Sequence, residues 1–380
     1  MKSNHYLNLF SLPEKQIYVN NAAVGKIPNA SIETMKSLLD YLAVYGEPPL
    51  EVLFEKSESM RRFAGALLGA NPENIAFVSN TSDGLMIALN SIAWQPGDNV
   101  VVQADAFPAS HYILEYSFPN LEKRYISVRD GIHFFTELEK AIDKNTRAVV
   151  VDYVNFLTGY RLDLTAFSQI CRKYRVYSIV DGIQAAGACE VGIEAAQIDF
   201  FAAGGQKWLL SPMGTGLFYV RKEAIPELQT VHVGWLSAQW DNFSSFYPLK
   251  PLQPDARRFE YANTNLIGLY GLTESLRLLS DLGINKIDQM ILEATRFISN
   301  ELLARDMELI SDWPQPHRSG MVTFRHPAIE TSRLYQKLQA NQVICSAREG
   351  YIRFSIHFYN SLNQMEAILN ILDDAISSEK

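Results

Sequence analysis

Six short apolar runs between positions 75 and 220 constrain the fold of this chain more than any other feature. They are IAFVS (75–79), NVVVQ (99–103), AVVVDYV (148–154), YSIVD (177–181), DFFAA (199–203) and GLFYV (216–220). Each is apolar almost throughout instead of alternating with polar residues, which is the pattern of a strand buried on both faces. Helical patterns such as GLMIALNSIAW (84–94) and LTAFSQICRKY (164–174) lie between several of them. Strands and helices in alternation predict an α/β fold, a mainly parallel sheet covered by helices on both sides.

The texture changes after residue 247. PLKPLQP (248–254) holds three prolines and reads as a crossing segment. Two long helical patterns follow at 266–282 and 287–306, then MVTFRH (321–326), a helix near 331–340, and the strands VICSA (343–347) and YIRFSIHF (351–358). A last helix opens at Ser361, where the S-x-x-Q spacing to Gln364 predicts a capping box. A length of 380 residues accommodates one large and one smaller domain. The expected division is a large domain over 16–255 and a smaller α+β domain over 256–380, joined by the N-terminal segment 1–15.

Several classes of function are disfavoured. The net charge is −8 with no lysine/arginine-rich block, which argues against nucleic-acid or anionic-membrane partners. No apolar run reaches transmembrane length, and the first residues lack the continuous apolar core of a signal peptide. Cys171, Cys189 and Cys345 are scattered without a CxxC pair, which suggests a reducing, cytoplasmic setting and no cysteine-rich metal site. P-loop, HExxH and GxSxG motifs are absent, and the histidines show no ligand spacing.

In an open parallel sheet, ligands bind beyond the carboxyl ends of the strands. Thr81 and Ser82 follow the first run and open a helix. Such residues serve as ordinary caps, and the same helix start can also seat a phosphate. Asp181 ends a buried strand, with Gln184 one turn later. A strand-end aspartate caps the next helix, or holds a cationic ring nitrogen. Lys207 follows Gly204-Gly205-Gln206 after another strand and precedes Trp208-Leu209-Leu210. A lysine there either snorkels to water or stays neutral as a Schiff-base amine. An anion seat, an acid and an amine on one sheet edge are the elements of a pyridoxal phosphate site.

The chain resembles the class V aminotransferases, pyridoxal phosphate enzymes of fold type I. That group includes cysteine desulfurases, kynureninases and isopenicillin N epimerase-like proteins. The resemblance runs from IYVNNAAVGKIP (17–28) to IRFSIHFYNS (352–361), and its most specific part is VDGIQAAG followed by DFFAAGGQKWLLSPMGTGLFYV. Asp181 precedes Lys207 by 26 residues in this pattern. The fold it implies is a large domain with a mainly parallel seven-stranded sheet and a smaller C-terminal α+β domain.

The resemblance also implies site roles. Lys207 carries pyridoxal 5'-phosphate as a Schiff base, and Asp181 pairs with the pyridinium nitrogen. Gln184 and Asn155 lie beside the ring's phenolic oxygen. Thr81, Ser82 and Gln206 hold the phosphate, and Thr264 reaches the phosphate of a neighbouring subunit, implying a homodimer with shared sites. Phe107 stacks on the ring, Arg353 grips the carboxylate of an amino-acid substrate, and Trp235 and Asn21 line the substrate pocket. For Phe107 and Trp235 an ordinary core role is the equal alternative. Arg353 has support in the residues themselves: it falls with Tyr351, Ser355 and His357 on the face opposite Ile352, Phe354, Ile356 and Phe358. Two residues depart from the desulfurases. Gln206 stands where they usually carry histidine, and the nearest cysteine, Cys345, lies eight residues before Arg353 inside a strand pattern. The expectation is an aminotransferase acting on a small amino acid, with a lyase, an epimerase or a non-enzymatic cofactor sensor as alternatives.

Overall fold

The computed structural model describes residues 5–377 except 14, 128–132, 241–246 and 264. Seven strands form the large sheet: β2 (Ile75–Val78), β3 (Asn99–Gln103), β4 (Glu122–Ile126), β5 (Thr146–Asp152), β6 (Tyr177–Asp181), β7 (Phe200–Gly204) and β8 (Gly216–Val220). Their spatial order is β2-β8-β7-β6-β5-β3-β4. All neighbours are parallel except β8, which runs antiparallel to both β2 and β7. The expected α/β architecture is therefore present, and the five runs β2, β3, β6, β7 and β8 are buried at nearly every position, as apolar continuity requires.

Helices α1 (Asn29–Tyr45), α2 (Leu50–Leu68), α3 (Thr81–Ser91), α4 (Pro108–Ser117), α5 (Phe134–Ala141), α6 (Leu164–Tyr174) and α7 (Ile193–Ala196) flank this sheet. One apolar core lies on each face. Val101, Val149, Val151, Val180, Phe201 and Leu217 face one, and Val100, Val102, Val150, Ile179, Phe200 and Phe218 face the other. Adjacent residues of one strand thus enter opposite cores, the period-two consequence of the pleat.

The C-terminal part contains α8 (Leu266–Leu282), α9 (Ile284–Leu303), α10 (Thr331–Ala340) and α11 (Leu362–Ser377). Its four-stranded antiparallel sheet comprises β9 (Glu308–Leu309), β10 (Met321–Arg325), β12 (Ser346–Arg348) and β13 (Tyr351–Ser355), in the order β12-β13-β10-β9. The expected strand VICSA is broken at Cys345. Its first half, β11 (Val343–Ile344), pairs instead with the N-terminal β1 (Ile17–Tyr18), and only its second half joins β13. The predicted capping box is formed: Gln364 N–H donates to Ser361 Oγ at 3.3 Å, and Ser361 N–H donates to Gln364 Oε1 at 3.1 Å. Helix α8 packs against α1 and α2, and its Leu272, Leu276 and Leu279 belong to the large core, whereas Ile298 and Leu302 of α9 belong to the C-terminal one. Among the described residues, no helix is long and apolar enough to cross a membrane.

Candidate active site

The carboxyl ends of β5, β6 and β7 bring Asp152, Asp181 and the Gly204–Lys207 turn together. Asp181 is cross-strand neighbour to Asp152 on one side and Ala202 on the other. Its Oδ1 accepts the Ile183 N–H at 3.0 Å. Burial pushes the Asp181 carboxyl up to about 6, against the pull of that bond and of the Lys207 charge. Lys207 is half-buried, and its Nζ lies 5.3 Å from the centroid of the Phe107 ring. Desolvation brings its amine down to about 8. Asp181 and Asp152 oppose that shift, while Arg353 and Arg348 add to it. The lysine is therefore held among its acids at the strand ends and does not run out to bulk water.

The turn that presents Lys207 is fixed from behind. Gly25 N–H donates to the Gln206 carbonyl at 2.8 Å. A Cβ on Gly25 would stand 2.0 Å from the Lys207 carbonyl oxygen, so only glycine fits there. Thr81 Oγ1 accepts the Gly204 N–H at 2.8 Å and ties the start of α3 to the end of β7. Asn80 caps α3 through the Asp83 N–H at 2.9 Å, which leaves the first-turn amides of Thr81 and Ser82 without an acceptor in the helix. Thr81 is buried and Ser82 exposed.

Asp152 was not foreseen as a site residue. It is buried, and its Oδ2 accepts the Phe107 N–H at 3.0 Å. Burial and the adjacent Asp181 push its carboxyl well above the usual range, which favours its protonated form. Through that bond it sets the loop that carries Phe107, whose ring meets Phe156 edge-on at 5.5 Å.

Several expected site residues also build the scaffold. Gln184 Oε1 accepts the Trp208 indole N–H at 2.8 Å, and its amide donates to the Ala22 carbonyl at 3.2 Å, leaving one N–H for a ligand. Asn155 Oδ1 accepts from Leu157 N, Thr158 N and Thr158 Oγ1, and its amide donates to the Asp105 carbonyl at 2.7 Å. Asn21 bridges the Ser355 carbonyl and the Tyr359 hydroxyl, at 2.9 and 2.6 Å. Trp235 is 43% exposed on a short 3-10 turn, and its carbonyl accepts the Trp240 indole N–H at 2.6 Å. That contact does not bring it to Lys207. Thr264 lies outside the described residues.

Arg353 is only 1% exposed, yet among the described residues its side chain makes one hydrogen bond, to the Phe156 carbonyl, and its Nε and second terminal nitrogen have no partner. The carbonyl of Leu157, next in the same loop, accepts Thr323 Oγ1 at 2.7 Å. Burial lowers the guanidinium to about 10, and Arg348 adds to the effect. Gln206 Oε1 is likewise buried without a partner among the described residues. Buried polar atoms are rarely left unpaired, so these orphans mark where a bound group belongs. A free helix start for a phosphate, a buried acid for a cationic ring nitrogen, a desolvated amine for an aldehyde and an unfilled fork for a carboxylate fit pyridoxal phosphate and an amino acid together.

This fold and this set of residues are those of a fold-type-I, pyridoxal phosphate-dependent protein. The Aminotransferase class-V family profile matches residues 17–368, and the chain belongs to that family. Among its relatives is the uncharacterized aminotransferase YcbU of Bacillus subtilis, 28% identical over 82% of this chain and 81% of that one. A probable cysteine desulfurase of Pyrococcus abyssi is 24% identical over 97% of this chain and 96% of its own. Among solved structures, the cystine C–S lyase C-DES in complex with cysteine persulfide superposes with a TM-score of 0.86. It is 21% identical and covers 95% of this chain and 98% of its own.

Proposed function

We propose that this protein is a pyridoxal phosphate-dependent enzyme that transfers the amino group of a small amino acid, with Lys207 as the residue that carries the cofactor. The observation that carries the reading is the half-buried Lys207 amine, lowered to about 8, among Asp152, Asp181 and the unfilled Arg353 fork. Pyridoxal phosphate, when bound, supplies an electron sink that weakens the bonds at the substrate's α-carbon. The Thr81 and Ser82 amides, the Thr81 hydroxyl and Gln206 hold the phosphate. Asp181, charged, holds a proton at the ring nitrogen. The free N–H of Gln184 reaches the phenolic oxygen, and Asn155 shapes the adjoining loop. Phe107, set by Asp152, covers one face of the ring and excludes water. Arg353 orients the substrate by its α-carboxylate, with Asn21 behind it and Trp235 at the rim. Lys207 Nζ, neutral in a useful fraction near pH 8, would take the proton from the α-carbon and deliver it to the cofactor's carbon, the delivery that amino-group transfer requires.

The division into a cofactor-binding unit (16–255) and a smaller unit (256–380 with 1–15) belongs to the same proposal, with α8 as the bridge between them. So does a homodimer: Tyr247 and Leu249 are more than 80% exposed, and Val44 and Tyr45 are each 71% exposed, apolar area that a second copy would cover. Light scattering on the purified protein tests the dimer. Desulfuration through a protein thiolate is not supported, because burial pushes Cys345 up to about 12, whereas a reactive cysteine needs a lowered pKa and access.

Reduction with borohydride should bleach the protein's visible absorbance and place the mass tag on Lys207. Incubation of the unreduced, cofactor-loaded protein with amino acids should yield the matching oxo acid. A tag on another residue would sink the lysine assignment. Inversion at the α-carbon or side-chain cleavage would replace transamination by epimerase or lyase chemistry, and no turnover with any amino acid would leave a cofactor-binding sensor.

A further inference from the structure

Strands β12 and β13 form a hairpin whose two turn residues, Glu349 and Gly350, have φ of 50° and 80°. Positive φ at both central positions is the type I′ geometry, which matches strand twist and pins the register. Arg348 is therefore opposite Tyr351, and Ser346 opposite Arg353. Directly opposed residues share a sheet face, as do alternate residues along a strand. Ser346, Arg348, Tyr351 and Arg353 thus share one face, opposite Ile352 and Phe354 in the C-terminal core. This is the face from which Arg353 reaches the Phe156 carbonyl at the candidate site.

The charge on that face is unbalanced. Arg325 stacks over the Tyr351 ring at 5.3 Å, but Glu308 neutralises it at 2.7 Å. Arg348 is exposed, and although its backbone pairs with Tyr351, its side chain forms no ion pair or hydrogen bond among the described residues, its neighbour Glu349 included. Its field reaches both Lys207 and Arg353 and lowers the proton affinity of each. Among the described residues, Ser346 Oγ, directly across from Arg353, is buried without a partner, as are two nitrogens of Arg353. One α-carboxylate answers the Arg353 fork and leaves Arg348 uncompensated.

We propose that Arg348 binds a second anionic group, so that the site takes α-amino acids with an acidic side chain, of the carboxylate or sulfinate class. The inference rests on the reading that Arg353 receives the α-carboxylate beside a cofactor on Lys207. Succinate and butanoate test it, because both lack the amine and bind without reacting. Calorimetry on the cofactor-loaded protein should give succinate a dissociation constant lower by about tenfold, the scale of one charge-assisted contact. Arg348→Ala should bring the two ligands to within about twofold by weakening succinate alone, whereas Arg353→Ala should weaken both. Equal affinities in the unsubstituted protein, or a preference that survives Arg348→Ala, would overturn the proposal. Borohydride labelling keeps the two levels apart. A labelled Lys207 with no succinate preference removes only the role of Arg348, while an unlabelled Lys207 removes the functional reading and this one with it.

Discussion

Replacing Lys207 by methionine should stabilise the cofactor-free protein. The amine titrates near 8 instead of 10.5 because it is desolvated, although Asp181 and Asp152 partly compensate. Each pKa unit corresponds to about 1.4 kcal/mol, so the ammonium costs the folded state about 3 kcal/mol below pH 8. Methionine fills similar space without charge. Losing the ammonium also removes a pull that holds the Asp181 carboxyl down near 6. That attraction is already contained in the value near 8, so the net gain at pH 7 is about 3 kcal/mol. The pH dependence is the sharper signature. The folded pKa lies below the unfolded one, so the folded protein binds fewer protons than the unfolded chain between pH 8 and 10.5. Native stability accordingly rises with pH in that window, and it is lost as pH falls through 8. The methionine variant lacks this rise, and the gap between the two proteins should close by about 3 kcal/mol from pH 8 to 10.5. Urea unfolding followed by tryptophan fluorescence at pH 7, 8, 9 and 10.5 measures it. A variant less stable at pH 7, or a gap indifferent to pH, would refute the desolvated-amine reading. A stabilising substitution at this position would mean that the chain retains the lysine for its chemistry and at a cost to the fold.

Asp152→Asn should change stability by less than about 1 kcal/mol, because a protonated carboxyl and an amide both offer an oxygen to the Phe107 N–H. Asp152→Ala should cost about 2–4 kcal/mol, and equal losses in urea unfolding would mean that Asp152 is ionised. Gly25→Ala drives a Cβ against the Lys207 carbonyl and should weaken cofactor binding by at least about tenfold in an absorbance titration. Loading as in the parent protein would show that the Lys207 turn is not held from behind. Arg353→Met removes a buried guanidinium with unfilled donors. It should raise KM by about 100-fold while leaving stability unchanged or improved, and an unchanged KM would place the carboxylate elsewhere.

What could be read from the chain follows from which physical signals are local. Strands buried on both faces announce themselves by continuous apolar runs, so six of the seven large-sheet strands were legible. The missing one, β4, is EKRYI at the sheet edge, where half-exposed charged residues blunt pairing with other chains and erase the apolar signal. Helices α1 and α2 escaped for a related reason, since both mix apolar and charged residues and leave Leu39, Val44, Tyr45 and Val52 exposed. Lys207 and Asp181 stand at or just past strand ends, where an open parallel sheet binds its ligands. Asp152 escapes that rule because AVVVDYV reads as one strand to Val154, whereas the strand ends at Asp152. The same rule with the correct boundary would have selected it, and a carboxylate inside an otherwise apolar run was the available sign. Arg353 was legible from alternation alone, but its emptiness was not. That property depends on the carbonyl of Phe156, 197 residues away, and on the absence of a second partner, and neither leaves a trace in local sequence. The commitments of Gln184, Asn155 and Asn21 to distant backbone were equally invisible. Local pattern thus named the candidate residues, while only the assembled fold separated those that are saturated from those still holding a free donor among the described residues. On the proposed reading, the free donors of Arg353 and Arg348 define what the site can bind.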